Sequence, residues 1–419
     1  MWLRLDNAAK IYPAARTDNW SNVFRLSATL NEKVDKTALK QALEKTIRRF
    51  PSMAVRLRKG MFWYYLHEIE NAPEIMDEYS HPLTRMSKKE TRKCAFRVIV
   101  YDKRIAVEMF HSITDGNGAL IFLKTLLAQY VKVKYNEETP CENGVLNCEE
   151  KAKKEELEDS FLKYAGNLPQ SRQENTSWQV SGTQTLGGYL NATTFDLNTK
   201  DVLQKSHEYN VSVTTFLCAA MLKALENLKN KEDKKSKKPV KVLVPVNLRN
   251  VFESQSLRNF AFYTTPEIFT YLGEYSFEEI LNVVKHKLGY DVTQKQMSLK
   301  IASNVASERI LIVRLMPLFI KNIVMKAVFK SVGEKKSCLS LSNLGNVKIP
   351  ENLKKYIQRF DFILGTQESS PYNCGVISFN DKLVVNFIRD IKEPKLEYEF
   401  WRVLEDLGLK ATVDCNEKG

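Results

Sequence analysis

The stretch Phe110-His111-Ser112-Ile113-Thr114-Asp115-Gly116 joins a strand-like run to a long helical one, and the rest of the chain is organised around that junction. Upstream, Ile105, Val107 and Met109 alternate with Glu108 and its neighbours over Arg104 to Phe110, the period of a strand with two unlike faces. Downstream, Ala119, Leu120, Phe122, Leu123, Leu126, Leu127, Tyr130 and Val131 recur at three and four residues, the apolar stripe of a helix that starts near Asn117. His111 therefore falls at a strand end, where a side chain is presented rather than packed away. Imidazole, with an unperturbed pKa of about 6.5, is the side chain best suited to exchange a proton near neutral pH, so the turn reads as the seat of a catalytic histidine. Asp115 can hold the turn or pair with a distant arginine. Gly116 lacks a Cβ and permits close approach of a substrate. Taken alone, the same residues also fit a surface turn whose aspartate caps the helix.

Before this junction, Asn22 to Leu30 is a candidate strand, and Asp35 caps a helix whose stripe is Ala38, Leu39, Ala42, Leu43 and Ile47, ended by Pro51. Val55 to Leu66 reads as one aromatic-rich strand. Ala95 to Val100 and Arg104 to Phe110 form a hairpin around Tyr101-Asp102-Lys103, which delivers the chain to His111. From Asn136 to about Gly188 the sequence turns polar, with a helix expected over Lys151 to Tyr164. Thr193 to Leu197 is a short strand, helices begin at Thr199 and Ser212, and the strand from Val240 carries Arg249 at its end. Ser276 to Gly289 and Ser298 to Glu308 look helical. The apolar run Ile310 to Lys330, interrupted by Pro317, reads as an amphipathic helix packed on the core in preference to one lying on a membrane surface. Strands follow at Cys338 to Leu344, Arg359 to Leu364, Cys374 to Phe379 and Leu383 to Ile388, and Glu397 to Leu407 closes the chain as a helix. Helices and strands thus alternate twice. The expectation is two α/β lobes, residues 1–165 and 191–419, joined by a linker at 166–190.

Composition agrees with two domains, since 419 residues exceed the roughly 250 to 300 that one core serves. Seven cysteines, an odd number without a CxxC pair, point to reduced thiols. The N-terminus Met1-Trp2-Leu3-Arg4-Leu5-Asp6 reaches charge too early for a signal-peptide core. No uncharged apolar stretch of about 18 residues occurs, so a cytoplasmic protein without a transmembrane segment is expected. The net charge of +13 invites a nucleic-acid partner, but 50 acids accompany 63 bases and no nucleic-acid motif is present. Part of the excess is local, in seven lysines between Lys229 and Lys241, read as a solvated loop. His67, His81, His207 and His286 are dispersed without metal-ligand spacing, so no metal is expected. There is no GxSxG and no Walker-type loop.

Three motifs in order carry a resemblance: the HxxxDG run His111 to Gly116, Pro245-Val246-Asn247-Leu248-Arg249 as a P-V-x-L-R strand end, and Ser342-Asn343-Leu344-Gly345 as an S-N-L-G strand. Together they resemble the chloramphenicol acetyltransferase-like superfamily of condensation domains, BAHD acyltransferases and polyketide-associated acyltransferases, closest to its alcohol acetyltransferase branch. The resemblance spans nearly the whole chain. It implies two α/β sandwich lobes with a tunnel between them, His111 in mid-tunnel, and Asp115 in a structural ion pair with Arg249. Two features depart from the pattern. Phe110 stands where condensation domains carry a first histidine, and Asp361-Phe362-Ile363-Leu364-Gly365 only echoes the plant DFGWG motif.

The chemistry this implies is acyl transfer from acyl-CoA, acetyl-CoA included, to a hydroxyl or amine, with His111 as general base and no covalent enzyme intermediate. Acyl-CoA would be a co-substrate, with no permanently bound cofactor. The tetrahedral oxyanion would need donors, for which Ser342, Asn343 and backbone N–H groups near Gly116 are candidates. Two alternatives stand beside this: a donor thioester on an acidic acyl carrier protein, and a catalytically silent binding protein of the same fold. Two lobes already supply an inter-lobe site, so a monomer is sufficient.

Overall fold

The computed structural model describes residues 1–16, 22–166, 175–329, 335–367 and 370–417. Part of the expected linker, 167–174, and Lys330 lie outside the described residues. The first large sheet has the order β13 (Ile357–Ile363), β2 (Val23–Leu30), β7 (Arg104–Phe110), β6 (Phe96–Tyr101) and β5 (Ile75–Asp77). The helices Lys36–Arg49 and Gly116–Tyr135 share its core through Leu39, Leu43, Leu123 and Leu127. Asp35 caps the first of these by accepting from the N–H groups of Thr37 and Ala38.

The second sheet runs β10 (Ala261–Thr264), β9 (Val240–Asn247), β12 (Leu339–Asn346), β14 (Tyr372–Phe379), β15 (Lys382–Arg389), β8 (Asn191–Asn198) and β16 (Ala411–Cys415), with β11 (Glu267–Ile268) also on β9. Strands β9, β12 and β14 are mutually parallel, and the other pairings are antiparallel. Alternate residues of the central strands divide between two cores, as the period of two requires. Cys374, Val376, Val385 and Phe387 pack with the helix Val213–Glu232, while Ile377, Phe379, Val384 and Ile388 belong to the core of the first sheet. A small third sheet, β1 (Trp2–Arg4), β4 (Tyr64–Glu68) and β3 (Val55–Lys59), flanks the first. The mixed α/β architecture expected from the sequence is present.

The two lobes are not continuous in sequence. Strand β13 leaves the 191–419 part of the chain and hydrogen-bonds along β2, pairing Phe360 with Ala28 and Phe362 with Leu26. On its other side β13 passes Gly375 of β14 so closely that a Cβ there would overlap the carbonyl oxygen of Phe362. The DFILG echo is this crossing strand and its exit.

Several element-level expectations differ, and the strand β16 follows the helix expected to close the chain. Val55 to Leu66 is a hairpin, because Gly60 donates its N–H to the Trp63 carbonyl at 2.9 Å and turns the chain. The helix expected over Lys151 to Tyr164 is two short ones, Lys154–Leu157 and Ser160–Tyr164, the second capped by Asp159. The run from Ile310 forms the helices Leu311–Leu315 and Leu318–Val328, split at Pro317, and presents Ile312, Leu315, Phe319, Ile320, Ile323 and Val324 to solvent instead of the core. In the lysine-rich stretch Lys234, Lys235, Lys237 and Lys238 are exposed, but its ends are not. Lys229 is buried on the Ser236 carbonyl and the Thr270 hydroxyl, and Lys241 is buried against Glu267 at 2.6 Å. The seven cysteines are unpaired, and among the described residues no single helix is long and apolar enough to cross a membrane.

Candidate active site

Strand β7 ends at Phe110, whose Cα partner is Val23, and the next residue is tied down by its N–H to the Asn22 carbonyl at 2.8 Å. Ile113 closes a tight turn by donating to the Phe110 carbonyl at 3.0 Å. Two buried hydroxyls fasten the turn to other parts of the chain: Ser112 donates to the Ala9 carbonyl and Thr114 to the Leu257 carbonyl at 2.7 Å. Asp115 then caps the helix Gly116–Tyr135 by accepting from the Gly118 N–H at 3.0 Å.

The His111 ring lies partly buried between two aromatic side chains. Tyr12 stacks on it at 4.5 Å between centroids, and Phe24 meets it edge-on at 5.0 Å. Its Nδ1 is 3.1 Å from Asn259 Oδ1. The Asn259 amide nitrogen donates to Asp6 Oδ2 at 3.2 Å, and a carboxylate only accepts, so the oxygen of Asn259 faces the imidazole. Nδ1 therefore carries the proton and Nε2 carries the lone pair. Burial lowers the His111 pKa below its usual value, against the opposing pull of Asp115 and Asn259. Behind Asn259, Asp6 is fully buried with Arg258 at 3.7 Å, and burial raises its pKa.

The structure brings Arg249 onto Asp115. Its Nη1 meets Asp115 Oδ2 at 2.8 Å, Nε donates to the Ser256 carbonyl at 2.7 Å, and Nη2 donates to the Arg258 carbonyl. Asp115 also accepts the Phe260 N–H at 2.8 Å. With these donors it holds the 249–260 loop, and with it Asn259, against the histidine turn. Gly116 packs where a Cβ would meet Leu344 Cδ2 at 2.9 Å. Gly118 is the more constrained glycine, since a Cβ there would overlap both Thr114 Oγ1 and the Leu257 carbonyl oxygen.

Ser342 and Asn343 part company because successive strand residues face opposite ways. Ser342 pairs with Gly375, and so shares the β13-facing side with Leu344, the residue against Gly116. Asn343 faces the other way, donates to the Thr214 hydroxyl at 3.0 Å and accepts the Gly345 N–H at 2.8 Å. There it lines a cavity of about 690 Å³ at the N-terminal end of the helix Val213–Glu232, with Ser212, Thr214, Asn247, His207 and Lys285. His111 is not in the lining of this cavity. Among the described residues no group of three or more His, Cys, Asp or Glu side chains is placed to hold a metal ion.

No family model matches the chain, and no curated protein matches it in sequence. Solved structures do match in shape. F. graminearum TRI101 complexed with coenzyme A and T-2 mycotoxin superposes with a TM-score of 0.67 over 98% of this chain and 99% of its own, at 11% identity. The chain has the chloramphenicol acetyltransferase-like fold. Two other structures of this fold match similarly. The trichothecene 15-O-acetyltransferase TRI3 of Fusarium sporotrichioides is 11% identical with a TM-score of 0.62, covering 97% of this chain and 94% of its own. Polyketide synthase associated protein 5 of Mycobacterium tuberculosis is 14% identical with a TM-score of 0.58, covering 96% of each chain.

Asn259, Asp6, Tyr12 and Gly118 are site residues that sequence reasoning missed. Only Gly118, two residues beyond HxxxDG, had a local signal. The others reach His111 through tertiary folding alone.

Proposed function

We propose that this chain is an acyltransferase that moves an acyl group from acyl-CoA to the hydroxyl or amine of a small acceptor, as a cytoplasmic monomer. The observation that carries the reading is the neutral His111, with Nδ1–H held by Asn259 and Nε2 unprotonated. The acceptor gives its proton to Nε2 as its oxygen or nitrogen attacks the thioester carbonyl. The C–S bond of the tetrahedral intermediate then breaks, and the leaving thiolate takes the proton back from Nε2. No enzyme acyl group forms. On this reading Asp115 is structural, because Arg249 and two backbone N–H groups occupy it.

The face shared with Leu344 makes Ser342 the candidate oxyanion donor, and Asn343 a wall of the donor cavity instead. Lys285 gives that cavity a cation for a phosphate-bearing donor, and its lining contains no acid. The coenzyme A complexes of the TRI101 structures support acyl-CoA as the donor. A carrier-protein thioester is the second reading, favoured by the net charge of +13 and by the likeness to the condensation domain of the monacolin K polyketide synthase MokA.

The test is release of CoA thiol from acyl-CoAs of graded length with mixed alcohols and amines, for the wild type and His111→Ala. Acceptor-dependent release lost in the variant establishes the reading. Neither release nor CoA binding moves the donor to a carrier protein or marks the chain as a silent binder.

A further inference from the structure

The helix Leu318–Val328 is turned inside out. Two of its polar residues point inward: Lys321 is buried, with Nζ donating to the Phe62 carbonyl at 2.8 Å and lying 3.3 Å from the Trp63 ring centroid, and Asn322 donates to Tyr64 Oη at 3.1 Å. Phe319, Ile320, Ile323 and Val324 point outward, Phe319 and Ile323 each 69% exposed. The preceding helix Leu311–Leu315 adds Ile312, and the β3–β4 turn adds Met61, each 74% exposed. The pieces form one face, because the Leu318 N–H donates to the Met61 carbonyl at 2.9 Å. Single exposed apolar side chains are ordinary, but a joined face of them is not.

Charge says what covers it. From Ile310 to Phe329 the chain has Arg314, Lys321 and Lys326 and no acid, and Arg314, Lys326 and the nearby Lys59 are exposed. A second copy of the chain would set like charges against each other across the face. A surface apolar at its centre and anionic at its rim fits, and that is the acyl–headgroup boundary of a bilayer containing acidic lipid. We propose that the helices Leu311–Leu315 and Leu318–Val328, with the β3–β4 turn, dock this protein on anionic lipid bilayers. The proposal requires nothing of the acyl-transfer reading.

The test is co-sedimentation of the full chain with phosphatidylcholine vesicles, with and without phosphatidylglycerol. The wild type is expected to sediment with the phosphatidylglycerol vesicles and to be released by salt. The double variants F319E/I323E and R314E/K326E should each weaken binding by at least about tenfold, since each basic residue near an anionic surface contributes about 1 kcal/mol. Unchanged melting of both variants shows that they fold. A wild type that stays in the supernatant with both vesicles overturns the proposal, as does binding that neither variant changes. A wild-type dimer that F319E/I323E converts to monomer in sedimentation velocity also overturns it, and assigns the face to a second copy.

Discussion

His111 is held neutral by its surroundings. Tyr12 and Phe24 cover part of the ring, and burial outweighs Asp115 and Asn259, which favour the charged form. On the proposed mechanism the base is lost when the imidazole protonates, and the folded pKa of His111 is lowered. The acid limb of kcat/KM is therefore expected below the ordinary histidine value of about 6.5, with activity retained as pH falls through that value. A pH–rate profile whose limb lies at or above that value contradicts this. Asn259 is expected to act through the histidine as a positioning residue. Asn259→Ala removes the acceptor that fixes the proton on Nδ1, so kcat should fall by about a hundredfold, the lower end of what a general base contributes, with KM for the donor unchanged and the acid limb displaced. An unmoved pH profile with a raised KM would make Asn259 merely structural. The histidine was legible in the sequence because its strand, turn and helix are contiguous. Asn259 lies 148 residues away in a polar loop, and Asp6 near the N-terminus looked like a simple charge, so neither had a periodicity or spacing to betray it.

At the scale of elements, the histidine turn and the 249–260 loop are one unit joined through Asp115. The pair is nearly dry, with side-chain exposures of 10% for Arg249 and 6% for Asp115. Arg249→Ala leaves a buried carboxylate with backbone donors only and should cost about 3 to 5 kcal/mol in denaturant unfolding. Wild-type stability in that variant would refute the staple. Gly118→Ala probes the same junction from the helix side: the added Cβ collides with the backbone of Leu257, which cannot swing away as a side chain would, so a lowered Tm is expected. The sequence shows this junction well, since P-V-x-L-R and HxxxDG are each compact. It hides the inverted helix Leu318–Val328, because periodicity reports that a helix has an apolar face but not which way that face points. It also hides the β3–β4 hairpin, where Met61-Phe62-Trp63-Tyr64-Tyr65 has strand-like composition through the turn itself.

For the whole molecule, the twofold alternation of helices and strands was enough to foresee two α/β lobes, but not the exchange of β13 between them. Its alternation, with Phe360 and Phe362 buried, is the same whichever sheet receives it. The strand passes closely over β14, where Gly375 leaves room for the Phe362 carbonyl. Further contacts span the crossing: Arg359 on β13 bonds Asp196 on β8 at 2.8 Å, and Phe24 meets Phe362 edge-on at 6.3 Å. Because Phe24 also touches His111, the crossing links lobe packing to the His111 ring. Gly375→Val should then do two things at once. The branched side chain must push β13 away from β14, costing about 1 to 3 kcal/mol or more as overpacking does, so Tm falls. Amide hydrogen exchange should also lose protection first along residues 357–363, ahead of β7 and β15, which keep their own partners on both sides. Destabilisation with uniform loss of protection would mean that Gly375 serves the C-terminal core alone, and that the exchanged strand is held by its pairing with β2.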